Sequence, residues 1–191
     1  MQYTIDILIA ELNEVAKRPS AEYLRISTII NVRHVFTKIG ISLLAEVKDE
    51  EVQVSQNRYR LPERTVQVLD VGREKTNYQG INISRGLANN RELVYSVTPM
   101  EIHFPNYPNG KVWVQSYQFY LDEAGSIIIP EMAYKACFDY CHWQIAYKNP
   151  VSPIYQDRWM LKRQAEESIF AARGDINETT PGKYRGFRKT M

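Results

Sequence analysis

Residues 130–173 contain the feature that most limits how this chain can fold: two helical segments separated by a pair of prolines. In the first segment, apolar and mostly small side chains recur at spacings of three and four, which places them on one helical face. They are Ala133, Ala136, Cys137, Tyr140, Cys141, Trp143 and Ala146. Pro150 and Pro153 then end the pattern, because each removes a backbone donor and restricts the residue before it. The stretch therefore predicts an antiparallel helical hairpin with a small-sided face that another helix can approach closely.

Both helices of this hairpin have recognisable ends. Pro130 suits the first position of a helix, where its fixed φ is favourable and its missing N–H costs nothing. The second helix is expected to run from about Tyr155 to Arg173, with Gly174 as its stop. Charged residues form its solvated face, and its apolar set is Trp159, Met160, Leu161, Ala165, Ile169, Phe170 and Ala172.

Two further helices are predicted near the amino terminus. Thr4–Lys17 carries apolar side chains along one stripe, which is typical of an amphipathic helix. Pro19 ends that helix, and Ala21–Ile39 follows with apolar residues on two stripes. An apolar surface of this width indicates contacts on both sides of the second helix. Gly40 ends it, and the hydrophobic period of the chain then changes.

Residues 41–129 show the alternating pattern of β-strands. The clearest strands are 51–55, 65–71 and 111–120, each with apolar residues at every second position. A short turn at 122–125 is expected to join the 111–120 strand to 126–129 as a compact hairpin. Weaker strand patterns occur at 41–47, 58–61, 80–84, 93–97 and 101–104.

The order of these elements predicts an α+β fold. Residues 1–40 and 130–174 are expected to form a four-helix stem, because helices that flank a β block can unite when the block is an insertion. The inserted domain, 41–129, is predicted to be a small antiparallel β-sandwich or open barrel. Residues 175–191 have no periodicity and several helix breakers, and we expect them to be a flexible, extended C-terminal arm.

Composition limits the function classes. Hydrophobic residues make up 44% of the chain, without a run long enough for a membrane span, so we expect no membrane association. No secretion signal is recognisable at the amino terminus. The two cysteines, Cys137 and Cys141, are four residues apart on one helical face, which predicts small buried side chains and not a disulfide framework. A reducing compartment of origin follows.

The sequence offers few residues for catalysis or metal binding. His34, His103 and His142 each lie in a different predicted element, without a second histidine or a carboxylate at ligand spacing. The loop at 70–76 follows a strand but lacks the glycines with which backbone amides surround a phosphate. No Gly-x-Ser-x-Gly or catalytic cysteine motif occurs. We therefore expect no enzymatic activity and no cofactor.

Two charged segments are candidate binding residues. An acidic cluster consists of Glu46, Asp49, Glu50 and Glu51, and its ordinary interpretation is a solvated turn. The C-terminal arm interleaves cations with aromatic rings, in Lys183, Tyr184, Arg185, Phe187, Arg188 and Lys189. This composition suits a protein-docking arm that orders on binding, a contact with nucleic acid, or a solubilising end without a partner. Four cations contribute only a modest electrostatic attraction to nucleic acid.

Three local patterns resemble a known family. They are Leu24–Arg33 (LRISTIINVR), Leu61–Leu69 (LPERTVQVL) and Ile127–Glu131 (IIIPE), the last of which ends a strand and opens a helix rich in tyrosine and alanine. In this layout the chain resembles the ring-forming adaptor, or head-to-tail connector, proteins of tailed bacteriophages. It is most similar to the ring proteins of crAss-like short-tailed phages. The resemblance spans about residues 20–175.

The resemblance implies a structural, non-enzymatic role in the virion. Such adaptors form homo-oligomeric rings, usually dodecamers, that bind the portal protein and other tail or ring proteins and extend the channel through which DNA passes. They are made in the host cytoplasm and reside at the head-tail junction or in the tail. On this basis the arm docks on a partner, and the acidic cluster 46–51 is a candidate for the channel surface. The alternative function is a soluble nucleic-acid-binding module that uses the basic aromatic tail.

Overall fold

A computed structural model describes residues 3–16, 21–73, 81–82, 93–151 and 153–179 of the chain. The described helices are α1 (Ile5–Ala16), α2 (Ala21–Ile39), α3 (Ile41–Leu44), α4 (Glu131–Tyr147) and α5 (Arg158–Thr179), with a 3-10 helix at Pro153–Asp157. The described strands are β1 (Tyr3–Thr4), β2 (Ala45–Val54), β3 (Arg58–Arg60), β4 (Thr65–Gly72), β5 (Ile81–Asn82), β6 (Val94–Val97), β7 (Glu101–His103), β8 (Gly110–Phe119) and β9 (Ile128–Ile129). The predicted α+β class is confirmed.

The chain divides into two compact units. The first, called the helical unit, comprises Met1–Leu44 and Leu121–Met191; the second, called the β unit, comprises Ala45–Tyr120. The sequence pattern predicts a β domain at 41–129. Its structural boundaries are narrower, because Ile41–Leu44 is helical and β9 pairs with β1 at the start of the chain.

Helix α4 is central to the helical unit, since it contacts α1, α2 and α5. Its buried positions follow the small-residue stripe expected from the sequence, with one addition, Asp139. Small side chains let neighbouring helices come close to the α4 backbone, so each can bury its own apolar stripe there. The residues that α1 and α5 bury are Ile5, Leu8, Leu12, Leu161, Ala165, Ser168 and Ala172.

The β unit contains two sheets in the described residues, with strand orders β2-β8-β4 and β3-β7-β6-β5. Strands β2 and β8 pair antiparallel without a break from Ala45 opposite Phe119 to Val54 opposite Gly110. The β4–β8 pairing has register shifts near Val66 and Leu69, while β5 and β6 are parallel. None of the described sheets closes into a barrel. The core of this unit includes Val54, Leu61, Val71, Tyr95, Ile102, Phe104 and Val112.

Two local predictions are wrong. The 41–47 segment is not a strand from its start, because Gly40 accepts the N–H of Leu43 in a short helix and β2 begins only at Ala45. The 126–129 segment does not form a hairpin with β8. It makes an isolated bridge, Leu121 to Ile127, and its last two residues pair with β1.

The predicted ends of the hairpin helices also need correction. Pro130 is the residue before α4, with φ −55° and ψ 140°, so the helix begins at Glu131. Gly174 does not stop α5, which continues to Thr179. Glycine inside a helix costs only about 1 kcal/mol relative to alanine, and no proline follows until position 181. Residues 175–179, expected to begin the flexible arm, therefore belong to the helix.

Two glycines allow a matched test of the backbone. Gly110 has φ +142°, and a Cβ there would lie 2.1 Å from the Tyr107 hydroxyl oxygen. We expect Gly110→Ala to lower the free energy of unfolding by about 1–3 kcal/mol, measured by urea denaturation.

Gly174 lies within α5, where a Cβ would meet nothing within 4 Å. Gly174→Ala should raise stability by about 0.5–1 kcal/mol, and a loss there would contradict a helix through this position.

Candidate interaction surface

The predicted docking residues Lys183, Tyr184, Arg185, Phe187, Arg188 and Lys189 lie outside the described residues. Helix α5 carries the chain toward them as far as Thr179. Their role as an arm therefore stays a prediction from the sequence.

The acidic cluster lies on strand β2, so its interpretation as a solvated turn is wrong. Because side chains alternate along a strand, Glu46 and Glu50 share one face of β2, while Asp49 and Glu51 share the other. The four carboxylates therefore do not form one acidic stripe. Whether they line a channel stays a prediction.

Each of these carboxylates has a polar partner within the β unit. Glu46 pairs with Lys48 at 2.7 Å, and Glu51 with Lys111 at 2.8 Å. Asp49 accepts a hydrogen bond from Gln115 at 3.1 Å. Glu50 is held by two groups, the Arg64 guanidinium and the Gln118 amide. The cations at positions 48, 64 and 111 thus offset much of the negative charge of the cluster.

A buried carboxylate, which the sequence pattern does not indicate, joins α4 to α5. Asp139 is only 3% exposed. Its Oδ2 accepts hydrogen bonds from the buried Ser168 hydroxyl and, at 2.9 Å, from Lys135 Nζ. Its Oδ1 accepts one from Gln164 Nε2 at 3.0 Å. Two of these donors lie four residues apart on α5, so Asp139 fixes the register between the two helices.

The cysteines next to this carboxylate are structural. Both thiols are free and fully buried. Burial raises the pKa of Cys137 well above its ordinary value and that of Cys141 to about 12. Since the thiolate is the reactive and metal-binding form, neither side chain is suited to nucleophilic or redox chemistry.

Helix α5 exposes several apolar side chains that the periodicity of the sequence assigns to its buried face. Trp159 is 62% exposed, Met160 58% and Phe170 80%. The buried positions of α5 are instead Leu161, Ala165, Ser168 and Ala172, which are spaced by four, three and four residues. The expectation that Trp159, Met160 and Phe170 are core residues is wrong.

Two of these side chains belong to a larger exposed group at one end of the α4–α5 pair. Tyr147 is the last residue of α4, Val151 lies in the connection, and Trp159 and Met160 open α5. All of them are more than half exposed. We call this group the apolar end: Tyr147, Val151, Trp159 and Met160. Exposed tyrosine, tryptophan and methionine side chains are enriched at contacts with other proteins.

Two histidines make the helical unit sensitive to acid. Burial lowers the pKa of His142 against the opposing effect of Asp139, and burial together with Lys38 lowers the pKa of His34. The unfolded chain takes up these protons at a higher pH than the folded chain does. The two neutral histidines therefore contribute their full stabilisation above the ordinary histidine pKa of 6.5. This stabilisation is lost as the pH falls through the lowered pKa values of the folded protein.

We expect the free energy of unfolding to decrease between about pH 7 and about pH 5. The variant His34→Gln/His142→Gln should show a shallower decrease, since glutamine does not titrate. Urea denaturation at several pH values measures both slopes. Equal slopes for the variant and the unaltered protein would contradict the assignment to these histidines.

The described residues contain no group of three or more His, Cys, Asp or Glu side chains placed to hold a metal ion. In the same part of the chain, every helix is too short or too polar to cross a membrane. No protein-family model matches the chain, and no curated protein matches it at a significant level.

Proposed function

We propose that this protein is a structural component of a tailed-bacteriophage virion, which forms a ring between the portal and the tail. In this proposal the helices of the helical unit form a four-helix stem, the β unit is an inserted sandwich, and the ring extends the DNA channel. The portal and other tail or ring proteins are its partners. The observation that carries the proposal is the apolar end of the α4–α5 pair.

The apolar end supports assembly because water contact with large apolar side chains is unfavourable. Val151 is 89% exposed, and Trp159 and Met160 follow it within one short stretch of chain. Tryptophan, tyrosine and methionine are also enriched in the cores of protein interfaces. A closed ring repeats one heterologous contact around its axis. The apolar end is one side of that contact in our proposal.

The arm supplies the second contact, on the basis of its sequence. Its cations and rings are separated from the end of α5 by only a few residues. We expect deletion of 182–191 to weaken docking on the portal while the helical unit keeps its stability, because this segment contributes few apolar residues. Portal binding by surface plasmon resonance, together with urea denaturation of the deletion variant, measures both. Unchanged portal affinity would contradict the role of the arm.

Electron microscopy of the purified protein with its portal tests the assembly itself. We expect annuli that stack on the portal, and native mass spectrometry should give their copy number. A protein that stays monomeric and never co-assembles with the portal would overturn the proposal.

The alternative function, a nucleic-acid-binding module, predicts a different dependence on salt. Neutralising phosphates releases counterions, so the affinity would fall steeply as salt rises and would disappear with the four tail cations. Ring assembly through the apolar end would depend much less on salt. Fluorescence anisotropy with a labelled single-stranded oligonucleotide at several salt concentrations separates the two functions.

A further inference from the structure

The helical unit also contains a groove whose lining does not include the four residues of the apolar end. Helices α2, α4 and α5 form its walls, and its volume is about 370 Å³. Apolar and aromatic side chains provide most of its surface. We call it the aromatic groove; the residues used below are His34, Lys38, Tyr140, Trp143, Phe170 and Arg173.

Ring contacts hold one wall of the groove in place. The His34 ring stacks on Tyr140 at a centroid distance of 5.0 Å, and Tyr140 meets Trp143 edge to face at 5.3 Å. Such contacts fix the side chains before an occupant arrives, which reduces the entropy lost on binding. The opposite wall includes Phe170, which is 80% exposed. An occupant that covers Phe170 would therefore remove a large apolar area from water.

The rim of the groove has an excess of positive charge. Lys38 and Arg173 have no ion pair among the described residues. The carboxylate at the rim, Glu166, pairs with Lys162 at 3.7 Å. An occupant with negative charge on either side of an apolar anchor complements this arrangement.

We propose that the aromatic groove binds a linear, acidic peptide segment of a partner protein, with one aromatic side chain of that segment inserted between Trp143 and Phe170. The cations Lys38 and Arg173 contact carboxylates that flank this anchor. The inference does not depend on ring formation, because every residue it uses lies in the helical unit of a single chain.

The size and charge of the groove favour this occupant over others. A small molecule that filled only the groove would leave the protruding face of Phe170 in water. Nucleic acid is less favoured, because two cations neutralise few phosphates and the Tyr140 ring already stacks on His34. The arm of this chain is basic, so Lys38 and Arg173 would repel it.

A random linear-peptide library of about a dozen residues per peptide, selected by mRNA display on the full-length protein, is the test. We expect enrichment of peptides with an aromatic residue flanked by Asp or Glu. The most enriched peptide, labelled with fluorescein, then gives a Kd by anisotropy. Phe170→Ala should weaken it about tenfold or more, as expected for an interface anchor. Lys38→Glu/Arg173→Glu should weaken it similarly and reduce its salt dependence.

Met132→Ala is the matched control, because it removes an exposed apolar side chain of the helical unit outside the groove. It should leave the Kd unchanged. Three results would overturn the proposal: enrichment without acidic aromatic peptides, a Kd that does not respond to Phe170→Ala, or tighter binding of a single-stranded oligonucleotide to the same residues. A dimer that dissociates on Phe170→Ala would assign the groove to a second copy of the chain and also overturn it.

Discussion

Asp139→Ala is expected to lower the free energy of unfolding of the helical unit by about 2–4 kcal/mol. Asp139 is almost fully buried between α4 and α5 and accepts hydrogen bonds from Ser168, Gln164 and Lys135. Its removal leaves the buried Ser168 hydroxyl without an acceptor, and this desolvated donor causes most of the loss. Gln164 and Lys135 are exposed and can turn to water, so their share is small. Urea denaturation followed by helical circular dichroism measures the change.

A double-mutant cycle separates the orphaned hydroxyl from the other effects. Asp139→Ala/Ser168→Ala removes donor and acceptor together, so it should cost clearly less than the sum of the two single variants. The matched control is Glu167→Ala, which removes an exposed carboxylate of α5 that pairs with Arg163 at 3.5 Å. That change should stay within about 0.5 kcal/mol. Additive single variants, or an Asp139→Ala loss no larger than that of the control, would contradict the coupling.

The helices could be predicted well because their signals are local. Helix α2 runs from Ala21 to Ile39 as predicted, and α1 begins at Ile5, one residue after its predicted start. Helix-breaking residues and stripes of apolar residues are recognisable within one or two helical turns. The bounds of a helix can therefore be predicted from the residues next to it in sequence. The small-sided stripe of α4 is also buried as expected, since alanine and cysteine rarely face water when spaced in this way.

Strand partners could not be predicted, because pairing is decided by residues far apart in sequence. The 126–129 segment has a good turn before it, yet β9 pairs with Tyr3 and Thr4. Likewise, the turn between β2 and β3 places Gln56 and Asn57 at φ 51° and 65°, without the Asn-Gly pair that usually indicates such a hairpin. Asn57 is held there by its side-chain amide, which donates to the Phe104 carbonyl at 2.8 Å.

The candidate site was mispredicted for a related reason. Periodicity alone placed both Trp159 and Phe170 on the buried side of α5, although the buried stripe passes through Ser168 instead. A serine in that stripe looks polar in the sequence, and only its buried acceptor Asp139 explains why it faces inward. The apolar residues that lie outside this stripe, Trp159, Met160 and Phe170, are exposed on the surface. Ser168, which pairs with Asp139, is part of the buried stripe of α5, whereas Trp159 and Phe170 lie outside that stripe.

Trp159→Asp is expected to abolish the annuli in our proposed assembly. A carboxylate at the centre of an apolar contact would have to be desolvated without a partner, which costs at least about 2–4 kcal/mol per contact. This corresponds to a loss of roughly 30-fold or more in the affinity of each contact. Because every subunit of a ring makes the same contact, the penalty recurs around the ring. Sedimentation velocity and negative-stain microscopy should then show monomers.

The fold should survive Trp159→Asp, since the side chain is already 62% exposed in the single chain. Circular dichroism and urea denaturation verify this. Ala171→Asp is the matched control, because it adds the same single negative charge at an exposed position in the second half of α5. Annuli that persist with Trp159→Asp would remove the apolar end from the assembly contact. Annuli lost equally in both variants would show that net charge, and not burial of Trp159, controls association.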